Sequence, residues 1–478
     1  MEFDVVIGLE THVELHTDTK LFCGCSSKFG SEPNTQTCPV CLALPGALPV
    51  MNRIAFNYAL KAALALNCKI NNLTHFDRKG YYYPDLPKNF QISQNYNNLG
   101  TDGFIDLIME GKNKRVTLHN VHLEEDAGKL VHPEESNADY SFVDFNRAGI
   151  PLLEIVSNPD IQSVGEAEAY MQTLRSILHY INISDCKMQE GSLRFEASIS
   201  LKETGVTELG NRVEIKNLNS VRSVIKSIEY EINRQSNVLS QGGVIYRETR
   251  LWDDKNQKSE RMRSKEESQD YRYFPEPDLV PVIIEKSLID DELATIPELP
   301  ISRLKRFMES DKLPFYDANI LIQDLFIADY FDECTKDYHK PKAISNWIIN
   351  EVLRYLNENK INIVGFDITP KMLIELVKLV EDGVISKAAA KSVFVEMVQR
   401  GTNANVIVEE KGLVQISNTD ELELIVADII KENEKVVTDF KNGKNNAIGF
   451  LVGKIMQKTK GKANPKVVNE MLENMIKQ

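Results

Sequence analysis

Four of the seven cysteines fall within nineteen residues, as Cys23-x-Cys25 and Cys38-x-x-Cys41 with twelve residues between the pairs. Two close pairs of thiolates suit a tetrahedral zinc ion, and four protein ligands leave no open position, so such a metal is structural. Gly24 and Pro39 suit the tight turns these pairs need. The competing interpretation is that buried cysteines act as small hydrophobes. It does not account for their clustering.

A second set of residues suits acid–base work and cation binding. In "VVIGLETHVEL" (Val5–Leu15), side chains alternate between the two faces of a strand. Val5, Ile7, Leu9, Thr11, Val13 and Leu15 share one face; Gly8, Glu10, His12 and Glu14 share the other. Arg194 and Glu196 form a similar row in "SLRFEASISL", as do Glu214 and Lys216 in "RVEIK". "HLEEDAGK" (122–129) adds Glu124, Glu125 and Asp126. Carboxylate oxygens with an imidazole can hold Mg²⁺ and align a nucleotide. Each row alone reads better as the solvated side of a sheet, and spacing does not say whether the rows converge. By parity Glu125 sides with Val121 and Leu123, not with His122, so a bulge or the strand's end has to re-aim it before it joins a cation site. The aromatic and basic residues of "DRKGYYYPDLPK" (77–88) suit base stacking or rim packing. The chain has no Walker A loop, no G-x-G-x-x-G and no G-x-S-x-G; the stretch Gly449–Lys454 is one residue short of a Walker A and lacks its Ser/Thr.

These residues need rigid carriers. "SLRFEASISL" and "RVEIK" each show one apolar and one polar face, the pattern of antiparallel strands. "IAFNYALKAALALN" (54–67) and "VGEAEAYMQTLRSILHYI" (164–181) have helical periodicity, so the first part reads as α+β. Pro275, Pro277 and Pro281 break the pattern and place a boundary near 290. Beyond it the period is helical. Thr369 is set to cap a helix that has Pro370 at its first position and ends at Gly383, and Ser386–Gly401 reads as the next. The expected organisation is an antiparallel-sheet-rich domain over 1–290, an all-helical domain over 291–403 and a small helical tail over 404–478, whose helix "IGFLVGKIMQK" is amphipathic.

With 478 residues, 42% apolar and 26% charged, the composition is that of a globular chain of several domains. It has no 18-residue apolar run, so no membrane span is expected. The start lacks the basic stretch and apolar core of a secretory leader. The expected location is therefore the cytoplasm, or an organelle interior after removal of a transit peptide, where seven cysteines do not make a disulfide framework. A net charge of −14 argues against a general nucleic-acid binder. Yet residues 440–478 carry eight lysines against Glu470 and Glu473, a net +6 that leaves −20 on the remainder. A basic tail on an acidic body points to an anionic partner for the tail, such as RNA.

The motifs resemble one family: the B subunits of bacterial and organellar aspartyl/glutamyl-tRNA(Asn/Gln) amidotransferases. The matching stretches include "IGLETHVEL", "FDRKGYYYPDLPKNFQISQ", "HLEEDAGK", "DFNRAGIPLLEIVSNPDI", "MQEGSLRFEASISL", "EIKNLNS", "ETRLW", "RSKE" and "DYRYFPEPDL"; "GLVQISN", "GFLVGKIM" and "KGKANP" continue the resemblance to the C-terminal end. The resemblance implies a cradle domain followed by a helical and a tail domain. It also implies a heterotrimer, in which an amidase-type A subunit supplies ammonia from glutamine and a small C subunit braces the pair. ATP and Mg²⁺ would serve to phosphorylate the side-chain carboxylate of Glu on tRNA(Gln) or Asp on tRNA(Asn), and ammonia would then displace the phosphate. Carried onto this chain, the pattern makes Glu10, His12 and Glu125 the Mg²⁺ ligands, with Glu196 and Glu214 lining the same catalytic site. Lys79, Asn146, Glu190 and Arg194 become candidates for nucleotide or aminoacyl contacts, and the tail lysines would meet tRNA phosphates. In two places the chain departs from the family: Glu196 stands where the family has Asp, and Ser198 where it has Asn. The four cysteines occur in some members only, which suits a structural zinc. The alternative is a non-catalytic tRNA-binding scaffold in the same kind of complex.

Overall fold

The computed structural model describes residues 2–133, 139–264, 270–414, 419–441, 446–459, 463 and 465–477. Lys444, Lys460 and Lys462 of the basic tail, and parts of the 412–418 and 460–465 stretches, lie outside the described residues. The chain divides into two compact units, Met1–Lys305 and Arg306–Gln478.

The first unit is built on a nine-stranded sheet. Its central strands are β1 (Phe3–Glu14), β2 (Arg115–Glu125), β3 (Pro151–Ser157), β4 (Leu193–Glu203) and β5 (Val213–Lys216). The sheet order runs Lys258–Ser264, Glu248–Asp253, β5, β4, β1, β3, β2, Gly100–Asp106, Lys69–Ile70. Neighbours are antiparallel except β5 and Glu248–Asp253, which run parallel. The fold is thus α+β, as the alternating patterns imply.

One face of the sheet is apolar and covered by helices α1 (Arg53–Ala65), α2 (Val164–Tyr180) and α3 (Val221–Ser240). Ile7, Leu9 and Val13 of β1 join Phe195 and Ala197 of β4 in one core with Leu60, Leu174 and Ile228 of the three helices. Each helix starts where a side chain satisfies its first free N–H groups: Asn52 accepts from Ile54 N and Ala55 N, Ser163 from Glu166 N, Ser220 from Ser223 N. With that face sealed, Glu10, His12 and their neighbours are left on the other. Residue 290 lies inside a further helix, α4 (Lys286–Ala294), which packs on α1. Leu288, Ile289, Ile296 and Leu299 extend the same core, so the first unit runs past the proline-rich break.

Among the described residues the second unit is helical. Helix Pro370–Glu381 has Thr369 as its cap, and Lys387–Arg400 has Ser386, with Gly401 (φ 60°) closing it. Helix Ala404–Lys411 packs back on both, so residue 404 belongs with the helices before it. Helices Thr419–Glu432, Asn446–Lys458 and Pro465–Lys477 enclose a separate core of Leu422, Val426, Leu451, Ile455, Val468 and Leu472. No helix among the described residues is long and apolar enough to cross a membrane.

Candidate functional site

Sheet register decides which polar residues meet. His12 lies opposite Glu154 of β3, and Glu154 lies opposite His122 of β2. On the other side His12 faces Arg194 and Glu10 faces Glu196. An unbroken row therefore crosses four strands. Glu154 sits between the two imidazoles, with its Oε2 3.4 Å from His12 Nε2 and 3.5 Å from His122 Nε2. Glu10 Oε1 is 3.5 Å from His12 Nε2, and Glu124 is 3.8 Å from each histidine. Two overlapping groups result, Glu10–His12–Glu154 and His122–Glu124–Glu154, each with ligand atoms within 4.8 Å of one another.

The charges in this row are strongly coupled. Burial and then the Glu154 carboxylate raise the Glu10 carboxyl to about 7. Burial works against protonation of His12, but its hydrogen bond to Glu154 and the surrounding carboxylates prevail and raise it to about 9. His122 rises to about 10 in the same way, against burial, through Glu154 and Glu124. Glu154 is held well below the usual carboxylate range: burial opposes this, and the two imidazoles outweigh it. Glu124 is 2% exposed, and its Oε2 has no hydrogen-bond partner. A buried carboxylate oxygen without a donor is costly. Three carboxylates and two imidazoles form a donor set able to take a divalent cation once the imidazoles give up their protons.

The expected third ligand, Glu125, does not join this group. β2 and β3 stay in register to Pro151 opposite Glu125, with no bulge there, so the two-residue period holds and Glu125 turns away from His122. Its carboxylate accepts from Ile92 N at 2.9 Å and pairs with Lys88. Glu124 has the parity of His122 and takes the place at the row. Lys79 sits within the field of Glu124 and Glu154, which hold its ammonium charged against burial, and lies 5.2 Å from the Tyr271 ring centroid. Glu196 and Glu214 border the row, and Lys216 lies between them at 2.6 and 3.2 Å.

Arg194 reaches away from its strand partner to Asp126 Oδ2 at 2.5 Å, with Glu14 at 4.0 Å. Its buried Nε has no partner. Arg194, Asn146 and Glu190 line one cavity of about 420 Å³ with Glu14 and Arg147. Asn146 also ties down the cysteine-bearing loop, accepting from Gln36 N at 2.8 Å and donating to Glu32 O at 2.7 Å.

The four cysteines lie on bends and turns, outside any strand or helix, and all are free thiols whose sulfurs lie within 4.8 Å of one another. Cys38 and Cys41 Sγ are 3.9 Å apart, against about 3.8 Å for sulfurs on one tetrahedral zinc at its usual bond length. Cys41 is pulled down to about 4, chiefly by the Cys23 thiol that donates to it; the Lys20 ammonium adds to this and burial opposes it.

Glu154 and His122 were not among the sequence candidates. Each carried a signal: Glu154 interrupts the apolar run "PLLEIV", and His122 shares parity with Glu124.

Comparison with known proteins places this architecture. Residues 5–290 match the family model described as the GatB/GatE catalytic domain, and residues 329–476 match that described as the GatB domain. The chain belongs to the GatB family. A protein named as the B subunit of aspartyl/glutamyl-tRNA(Asn/Gln) amidotransferase, from Caldanaerobacter subterraneus subsp. tengcongensis, is 52% identical over 476 residues, covering 100% of both chains. Proteins of the same name from a Thermoanaerobacter species and from Brevibacillus brevis are 51% and 48% identical, over at least 99% of each chain. The row lies wholly within the segment that matches the GatB/GatE catalytic domain.

Proposed function

We propose that the chain is the B-subunit component of a tRNA-dependent, glutamine-hydrolysing amidotransferase. In this reading its row of acids and histidines converts the side-chain carboxylate of Glu on tRNA(Gln), or Asp on tRNA(Asn), into the amide at the expense of ATP. The observation that carries the reading is Glu154 held between His12 and His122, with Glu10 and Glu124 beside them, in a chain whose full-length relatives bear that name.

A carboxylate is a poor electrophile, because its charge repels ammonia and oxide is not a leaving group. Its oxygen attacks the terminal phosphorus of ATP, ADP leaves, and an acyl phosphate results. Ammonia then attacks the acyl carbon, a carboxylate of the row takes the surplus proton, and phosphate departs. Glu10, His12, Glu154, Glu124 and His122 are the residues to hold Mg²⁺, which when bound neutralises charge on the transferring phosphoryl. Lys79, beside Glu124 and Glu154, would orient phosphate or the substrate carboxylate, and Arg194, paired with Asp126, would serve the adjoining cavity. Glu196 and Glu214, tied through Lys216, hold the border of the site. The four cysteines take a structural zinc. The chain contains no glutaminase motif, so ammonia comes from an amidase-type A subunit, with a small C subunit completing the complex. Lysines of the tail, Lys441, Lys454 and Lys458 among them, meet the tRNA body.

The test supplies the reconstituted complex with Glu-tRNA(Gln), ATP, Mg²⁺ and ammonium, which bypasses the glutaminase. Gln-tRNA is counted for the native chain and for Glu10→Gln and His12→Ala. Loss of conversion with tRNA binding retained is expected. Normal conversion by both variants would make the row a structural charge network and the chain a scaffold.

A further inference from the structure

We propose that Lys20 is the charge partner of the cysteine-bound zinc: its buried ammonium offsets the negative charge of the four thiolates and tightens their hold on the metal. The inference rests on the zinc reading of the cysteine cluster.

Lys20 is 0% exposed, an unusual state for an ammonium. Its backbone N donates to Cys25 O at 2.9 Å, which fixes the residue to the first cysteine pair. Its Nζ reaches the second pair, 3.8 Å from Cys41 Sγ, and donates to Phe145 O at 3.3 Å. Among the described residues no carboxylate oxygen lies within the 4.0 Å of an ion pair. A buried cation whose only partner besides the Cys41 sulfur is a neutral carbonyl is costly. Zinc with four thiolates carries a net charge of −2, and a buried anion of that size is costly too. Placed together, each relieves the other, and an N–H directed at a metal-bound sulfur is the kind of outer contact that tunes a site. The plainer alternative is that Lys20 only pins the loop through Phe145.

The experiment uses the full-length chain, loaded with zinc and compared with Lys20→Met, Lys20→Gln and Lys20→Arg. Zinc affinity is read by competition with a chromogenic chelator, and the ligand set by the sulfur-to-metal band of the cobalt-substituted protein. Lys20→Met should weaken zinc about 10- to 100-fold with the cobalt band retained. Lys20→Gln, which keeps a donor for Phe145 without the charge, should weaken it as well, and Lys20→Arg should restore most of the affinity. Lys20→Met should lose less melting temperature without zinc than with it, because only the metal-bound cluster carries the −2 charge that the ammonium offsets. Wild-type affinity in Lys20→Met or Lys20→Gln would overturn the assignment. So would an equal loss of melting temperature with and without zinc, which marks a packing residue. A wild-type chain that takes up no zinc would remove the site itself, and Lys20's role with it.

Discussion

The cysteine cluster and the acid–histidine row solve the same problem, gathering donor atoms around a point, in opposite ways. All four cysteines lie within nineteen residues on turns, and the chain needs only local bends to bring them together. In the row, Glu10 and His12, His122 and Glu124, and Glu154 come from three strands more than a hundred residues apart at the extremes, aligned by register alone. The cluster is joined to the core through Leu21 and Phe22, but its four sulfurs face one another, and a bound metal would hold them together. The row stands on a sealed hydrophobic core, and its like charges oppose one another. Metal should therefore matter for stability at the cluster and for chemistry at the row.

That contrast can be broken most directly at Glu154. Glu154→Gln removes the anion between two imidazoles, and ammonium-dependent amidation should fall about 100- to 1,000-fold at a temperature where the variant stays folded. Amidation retained by the folded variant would mean the row is structural. Cys38→Ser should do the reverse. Metal analysis should find the zinc gone and calorimetry a melting temperature lower by about 5 °C, with amidation at permissive temperature largely kept. A finer test sets two adjacent residues against each other. In Mg²⁺ titrations of activity, Glu124→Gln should raise the midpoint about tenfold, and Glu125→Gln should raise it less. The opposite order would restore Glu125 as a ligand. The smallest effect is in pH. A cation at Glu10 and His12 has to displace protons held up to about 7 and about 9. Mg²⁺ affinity measured calorimetrically should therefore rise as pH increases through those values, by at most about tenfold per unit for each proton displaced. A flat profile would exclude both groups as ligands.

Several features needed only the sequence, because their physics is local. Alternation in β1 and β4 set which face is buried. Thr369 with Pro370, and Ser386 with Gly401, marked helix ends through groups the backbone itself leaves unsatisfied. The spacing of Cys23, Cys25, Cys38 and Cys41 was enough to expect convergence. Other features depended on long-range pairing. A two-residue period says which residues share a face, but not which strands adjoin. Glu154 and His122 became visible as partners only when β3 was found between β1 and β2. Glu125 was set apart from the row only when β2 and β3 were seen to stay in register from Asn120 to Glu125. The packing of α4 on α1 past the proline-rich break also depended on an encounter between segments more than two hundred residues apart. The burial of Lys20 was equally hidden: a lysine before a turn looks solvated until the fold closes Phe145 and Cys41 over it. Propensity and spacing specified the elements and the metal-binding turns. Register and packing, which depend on contacts distant in sequence, decided which charges must share one low-dielectric space, and that is where the site's chemistry resides.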